Sequence, residues 1–138
     1  MSRRLFTPDE VNRLIPRLTE LLEAAGERHA QALALQERLR DDRARVAASG
    51  GERLDAVDWK ARAERLDGLG IEVRQILQEV LALGGVTKDL ETGLVDFPGR
   101  GPAERGGEIV NLCWRLGEDA VRFWHGMDEG FAHRKPLP

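Results

Sequence analysis

The feature of this chain that most constrains its fold is a row of apolar residues that recurs every seven positions. The row comprises Val11, Leu18, Ala25, Ala32, Leu39 and Val46. A seven-residue repeat places these side chains on one stripe of an α-helix, which then packs against a second helix. The spacing predicts helix 1 over residues 7–48, about 60 Å long at 1.5 Å per residue.

The run Thr7-Pro8-Asp9-Glu10 is typical of a helix start. The hydroxyl of Thr7 can accept a hydrogen bond from the first turn, and the carboxylate of Glu10 can reach back to complete a capping box. Proline suits the first helical position, where no N–H donor is needed. A second proline, Pro16, removes one hydrogen bond inside the helix and predicts a local loosening or kink.

A second periodic segment predicts helix 2 over residues 54–83. Its apolar rows are Trp59, Leu66, Val73 and Val80, with Leu69, Ile76 and Leu83 beside them. The run Ser49-Gly50-Gly51 predicts the break between the helices, and Gly84-Gly85 predicts the end of the second. A short connection favours an antiparallel hairpin of coiled-coil type. Either the C-terminal unit or a second copy of the chain is expected to cover the remaining flanks of its stripes, and a four-helix homodimer is the preferred arrangement.

Residues 86–138 predict a small sheet and a tail. Strands are expected at residues 86–90, 94–97, 109–115 and 121–125, with Pro98 ending the second, an exposed loop over residues 99–107 and an irregular tail from residue 126. A helical turn starting near Glu118 competes with the last strand. The whole chain, residues 1–138, is therefore predicted as one α+β domain: a long antiparallel helical hairpin followed by a small antiparallel β-meander packed on it.

Composition narrows the class of protein. The net charge of -3 and pI near 5.7 argue against a dedicated nucleic-acid binder, and leave arginine-rich helix faces as a weak basis for such a role. No segment approaches the roughly 20 apolar residues that span a bilayer, and the opening residues lack a signal-peptide pattern. With a single cysteine, Cys113, the chain is expected to be cytoplasmic, without membrane contact.

Several runs in the C-terminal third resemble an uncharacterised bacterial family, catalogued as domain of unknown function 2203. They are Lys88-Asp89, residues 93–98, residues 112–118, Trp124-His125, Gly130-Phe131 and Arg134, joined by residues 6–12 at the other end. The resemblance implies no established activity. It does single out the polar members of these runs as candidate ligand- or partner-binding residues: Asp96, Arg115, Glu118, His125 and Arg134.

Two kinds of chemistry are open to these residues. A divalent metal could be bound by Glu118 and His125, within a wider set of ligand types that adds Asp96, Cys113, Asp128 and His133. No close ligand pair such as CxxC or HExxH supports this. The alternative is that Glu118 and His125 hydrogen-bond each other or an arginine, and so fix the sheet on the helices. The set of Asp96, Arg115, Glu118 and Arg134 could instead bind an anionic or carboxylate ligand, since arginine suits such groups. Cys113 in mid-strand is expected to be an inert, semi-buried residue.

The sequence favours a non-enzymatic interaction or scaffold protein over an enzyme. In this hypothesis the helical hairpin mediates self-association, and the sheet recognises a protein partner or small ligand. The alternative hypothesis is a divalent-metal-binding protein or metal-dependent enzyme centred on Glu118 and His125. Neither the reaction, if there is one, nor the metal follows from the sequence.

Overall fold

The computed structural model describes residues 4–48, 56–103 and 106–138. Two helices, α1 (Pro8–Ala48) and α2 (Ala56–Leu83), pack against each other and precede a five-stranded antiparallel sheet. The predicted α+β class is confirmed. The predicted break at Ser49-Gly50-Gly51 and the first two residues of predicted helix 2 lie outside the described residues.

Ion pairs between the helices establish that they run antiparallel. Arg17 near the start of α1 pairs with Glu79 near the end of α2, at 3.4 Å. At the opposite end of the pair, Arg62 of α2 contacts Asp42 of α1 at 2.6 Å. Apolar residues of α1, including Val11, Leu18 and Ala25, are fully buried on the same side. The heptad row therefore marks the packed stripe, as predicted.

The start of α1 has the predicted capping box. The backbone N–H of Thr7 donates to the Glu10 carboxylate at 2.9 Å, and the N–H of Glu10 donates to the Thr7 hydroxyl at 3.2 Å. These bonds, with Arg4, hold the pKa of Glu10 below its ordinary value. Phe6 on one side of the cap and Val11 on the other both enter the core, which fixes the angle at which the chain enters the helix.

The end of α2 explains why two glycines follow it. The N–H of Gly84 donates to the carbonyl of Leu81, and that of Gly85 donates to the carbonyl of Val80. This pattern is a Schellman motif, which requires a left-handed residue after the helix, and Gly84 has φ of 106°. A Cβ there would lie 2.2 Å from the ring of Phe6. Only glycine therefore lets the chain turn from the helix into the sheet here.

The sheet is a meander in which each strand pairs with the next one in the chain. Its strands are β1 (Val86–Asp89), β2 (Leu94–Arg100), β3 (Ile109–Arg115), β4 (Phe123–Gly126) and β5 (Lys135–Pro136). Of the two alternatives for the residues after Glu118, the strand is confirmed and the helical turn is wrong, because the chain continues without a helix into β4. The prediction that the tail is irregular is wrong, since the tail contains a 3-10 helix (Phe131–His133) and β5. Both elements are too short to show a periodic pattern in the sequence.

Strand β2 does not end at Pro98, contrary to the prediction. It continues to Arg100, with Pro98 opposite Asn111 of β3. On the other side of β2, the first strand reaches no further than the pairing of Val86 with Asp96. Proline lacks an N–H but is tolerated where that side of the strand has no strand partner. Its carbonyl accepts a hydrogen bond from the N–H of Phe6 instead, at 2.7 Å.

The two faces of the sheet have different partners. One face, the inner face, carries the apolar residues that join α1 and α2 in a single core: Val95, Phe97, Val110, Leu112, Trp114 and Trp124. Side chains alternate along a strand, so the residues between these lie on the opposite, outer face. The amide of Asn12 on α1 ties the two layers together, accepting a hydrogen bond from the N–H of Val121 at 2.7 Å.

Candidate functional site

Three polar residues meet on the outer face of the sheet, each from a different strand. Asp96 of β2 lies directly opposite Cys113 of β3. His125 of β4 pairs with Asn111, two residues before Cys113, so its side chain lies on the same face. The meander therefore brings together residues that are far apart in sequence.

These three residues form a compact group of potential metal ligands. A carboxylate oxygen of Asp96, the Sγ of Cys113 and an imidazole nitrogen of His125 all lie within 4.8 Å of one another. Each residue is at most 3% exposed, although the outer face is turned away from the helices. Buried polar groups on such a face need a cover and a set of partners.

The hydrogen bonds of His125 define what can lie between it and Asp96. Its Nδ1 is 3.0 Å from the carbonyl oxygen of Gly126, which only accepts, so Nδ1 carries a hydrogen. Its Nε2 is 3.1–3.2 Å from the two oxygens of Asp96. In a neutral imidazole that nitrogen would have a lone pair facing a carboxylate. A proton or another cation must therefore lie between the two residues.

Cys113 is protonated in this setting. Burial raises the pKa of its thiol to about 12, and the adjacent Asp96 carboxylate contributes in the same direction. A thiol with such a pKa is a poor nucleophile at neutral pH. The expectation that Cys113 is chemically inert by itself agrees with this environment, but a divalent cation can displace the proton of a thiol and bind the thiolate.

The tail of the chain covers part of the cluster. A small cavity of about 110 Å³ touches all three cluster residues, and its remaining walls include Gly130 and Phe131 of the tail. Lys88 of β1 also lines it. The segment around the 3-10 helix thus forms a roof over the outer face.

The ion pair between Glu118 and Arg134 holds this tail segment on the outer face of the sheet. The guanidinium of Arg134 donates to both carboxylate oxygens of Glu118, at 2.8 and 3.0 Å, and to the carbonyl of Cys113 at 3.2 Å. It also lies over the rings of Phe123 and Phe131. Because both charged groups are less than one-fifth exposed, the pair is screened by solvent less than a surface ion pair.

The predicted site residues therefore separate into two pairs and one outlier. Asp96 pairs with His125, and Glu118 pairs with Arg134. Glu118 also accepts a hydrogen bond from the backbone N–H of Arg115, at 2.7 Å, and lies outside the group of potential metal ligands. The side chain of Arg115 is exposed, as are Asp128 and His133.

The sequence places Cys113 in the wider set of ligand types but predicts an inert role for it, and it predicts Glu118 as the metal ligand beside His125. The predicted alternation along β3, with Cys113 and Trp114 on opposite faces of the sheet, is correct. The spacing of residues along the chain does not reveal the register between β2 and β3, and it is this register that places Asp96 beside Cys113.

The fold and the site define a class of protein: a helical hairpin joined to a five-stranded meander that carries a buried Asp-Cys-His cluster. The chain belongs to a family described as an uncharacterized conserved protein (DUF2203), whose model matches residues 4–137. The resemblance read from the sequence is thus confirmed. No curated protein and no solved structure matches the chain. Among the described residues, neither helix is apolar enough over a sufficient length to cross a membrane.

Proposed function

We propose that this protein binds a divalent transition-metal ion through Asp96, Cys113 and His125. The observation that carries the proposal is the convergence of a carboxylate, a thiol and an imidazole within 4.8 Å, with Nε2 of His125 beside Asp96 and Nδ1 held by a backbone carbonyl. Metal-binding histidines usually have this second hydrogen bond, because it fixes the tautomer and directs the other nitrogen at the ion.

The spacing of the three groups suits a small ion. With zinc bonds of 2.0–2.3 Å, the donor atoms of a tetrahedral site are about 3.3–3.5 Å apart. Nε2 of His125 is already 3.1–3.2 Å from the carboxylate of Asp96, and all three groups lie within 4.8 Å.

The donor set favours zinc or a metal of similar preference. A thiolate and an imidazole select zinc, cobalt or copper over magnesium and calcium, which prefer oxygen. Three protein ligands leave a fourth position for water or a substrate, the arrangement found in catalytic zinc sites. A cytoplasmic location, in which thiols remain reduced, suits a cysteine ligand.

Metal analysis of protein purified without a histidine tag tests the proposal. We expect one zinc ion per chain, and a near-ultraviolet charge-transfer band when cobalt(II) replaces zinc, because this band requires a thiolate ligand. Replacing Cys113 with Ala should abolish the band, and His125→Ala should weaken zinc binding by about 100-fold or more.

His133→Ala is the matched control, since this exposed histidine lies outside the cluster. It should bind metal like the wild type. Equal zinc affinity in wild type, His125→Ala and Cys113→Ala would overturn the proposal.

The geometry also favours a second function, self-association through the helical hairpin. A hairpin of two helices leaves Leu33 of α1 and Ile71 of α2 each 47% exposed. A four-helix homodimer would bury these side chains against a second copy of the chain. In this proposal the homodimer acts as a scaffold that presents the sheet to a partner. Sedimentation of the wild type and Ile71→Glu tests this, with Ile109→Glu as the matched control, because Ile109 is an exposed isoleucine of β3 outside the helices. A monomeric wild type at high micromolar concentration would rule out self-association.

A further inference from the structure

A second, larger concavity lies beside the cluster, where the end of α2 meets the outer face of the sheet. Its volume is about 530 Å³, within the range of about 300–1,000 Å³ typical of small-molecule sites. Asp96 and Lys88 line both this cleft and the small cavity over the cluster, so the two spaces are neighbours.

One side of the cleft is apolar and open to solvent. Leu81 of α2, Val86 of β1 and Met127 after β4 all line it, and each is between 43% and 60% exposed. They come from three separate elements, so the chain brings these apolar groups together at this place rather than leaving them scattered. Grouped exposed apolar side chains with polar neighbours are typical of a binding surface.

The polar side of the cleft carries one uncompensated positive charge. Arg4 pairs with Glu10 at 3.0 Å, and Asp96 is buried and pairs with His125. Lys88, in contrast, is exposed and makes no hydrogen bond or ion pair with any residue in the described part of the chain. The amide of Asn111, which also lines the cleft, is likewise without such a bond there.

We propose that this cleft binds an amphipathic monocarboxylate. The ammonium group of Lys88 pairs with the acid group, and the amide of Asn111 donates a hydrogen bond to it. The apolar body of the ligand covers Leu81, Val86 and Met127. A single ammonium and a single amide match a head group with one negative charge, and the apolar wall excludes a purely polar anion.

This inference goes beyond metal binding and does not depend on it. Neither Lys88 nor Asn111 belongs to the three proposed metal ligands, so the cleft keeps its ammonium and amide groups when the metal is absent. The two proposals can therefore fail separately. The probe is sodium octanoate, added to protein from which metal has been removed by chelating resin.

An NMR titration of the amide resonances tests the cleft directly. We expect octanoate to shift the resonances of residues 81–88 and 127 in a saturable way. Lys88→Gln should weaken binding by about tenfold or more, because it removes a charge-assisted hydrogen bond. Leu81→Ser should weaken it by about the same factor through the loss of apolar contact.

Two controls distinguish binding in the cleft from nonspecific hydrophobic binding. Lys60→Gln removes an exposed lysine on the far part of α2 and should bind octanoate as the wild type does. Octanol, which has the same chain without the charge, should bind at least about tenfold more weakly. Unchanged octanoate affinity in Lys88→Gln, equal binding of octanol, or no saturable shift at all would each overturn the proposal.

Discussion

The Nε2 atom of His125 lies 3.1 Å from a carboxylate oxygen of Asp96, and both residues are buried on the face of the sheet turned away from the helices. The other nitrogen of His125 is committed to a backbone carbonyl. Two hydrogen-bond acceptors can lie this close to each other only when a proton or another cation lies between them. The pair is therefore a site for a proton or a metal ion, and its stability depends on which is present.

Substitutions of Asp96 should distinguish these roles in metal-free protein. Asp96→Ala leaves the Nε2 of His125 buried without a partner, which should lower the free energy of unfolding by about 1–3 kcal/mol. Asp96→Asn offers an N–H donor to a neutral imidazole and should cost much less, yet it should abolish metal binding. Urea unfolding of both variants measures the difference, and an equal loss of stability would contradict this explanation.

In metal-free protein, Cys113 should lower the free energy of unfolding at alkaline pH. Its pKa is about 12 in the folded state against an ordinary value of 9.0, so above pH 9 the unfolded chain loses a proton that the folded chain keeps. Stability is thus lost as pH rises from about 9 to 12, by at most about 1.4 kcal/mol per pH unit. Unfolding at pH 8 and 10.5 should show a smaller decline in Cys113→Ala. Parallel declines would refute the prediction.

Arg134→Met should release the tail from the sheet. The substitution removes both hydrogen bonds to Glu118 and leaves that carboxylate partly buried without its partner, at a cost of about 1–3 kcal/mol. Hydrogen exchange should become faster in residues 131–136. The control is Arg122→Met, which breaks an exposed ion pair with Asp119 and should leave exchange in the tail unchanged. The same exchange in both variants would argue against a fastening role.

Two glycine substitutions should change stability in opposite directions. Gly84→Ala places a Cβ against the ring of Phe6 at a residue with positive φ, so unfolding should require at least about 1–2 kcal/mol less free energy. Gly26→Ala lies inside α1 with no atom within 4 Å of the new Cβ and should stabilise by about 0.5–1 kcal/mol. Thermal unfolding of each variant measures this, and a neutral Gly84→Ala would contradict the Schellman geometry.

Much of the fold could be predicted from the sequence, because its signals are local. The seven-residue row predicted α1, and the capping box at Thr7 and Glu10 predicted its first residue to within one position. The tail could not be predicted, because β5 is held by pairing with β4 and not by a pattern of its own. Pro98 was misinterpreted because its tolerance depends on where the neighbouring strand ends.

The candidate site was only partly predictable. Its members come from three strands, 17 and 12 residues apart along the chain, and no motif links them. Asp96 and His125 were identified through the family resemblance. Cys113 was seen as a ligand type, but only the strand register places it against Asp96. Glu118 pairs with Arg134. An arginine partner is one of the alternatives that the sequence predicts for Glu118, but the sequence does not identify which arginine.

The placement of the cluster across β2, β3 and β4 has a consequence for how the protein could be monitored. A slip of one residue between any two of these strands would turn one donor group towards the helices and separate it from the other two. The cluster therefore exists only when all three strands are correctly paired. A cobalt ion bound there would act as a built-in optical reporter of sheet assembly, losing its colour as soon as a single strand came out of register.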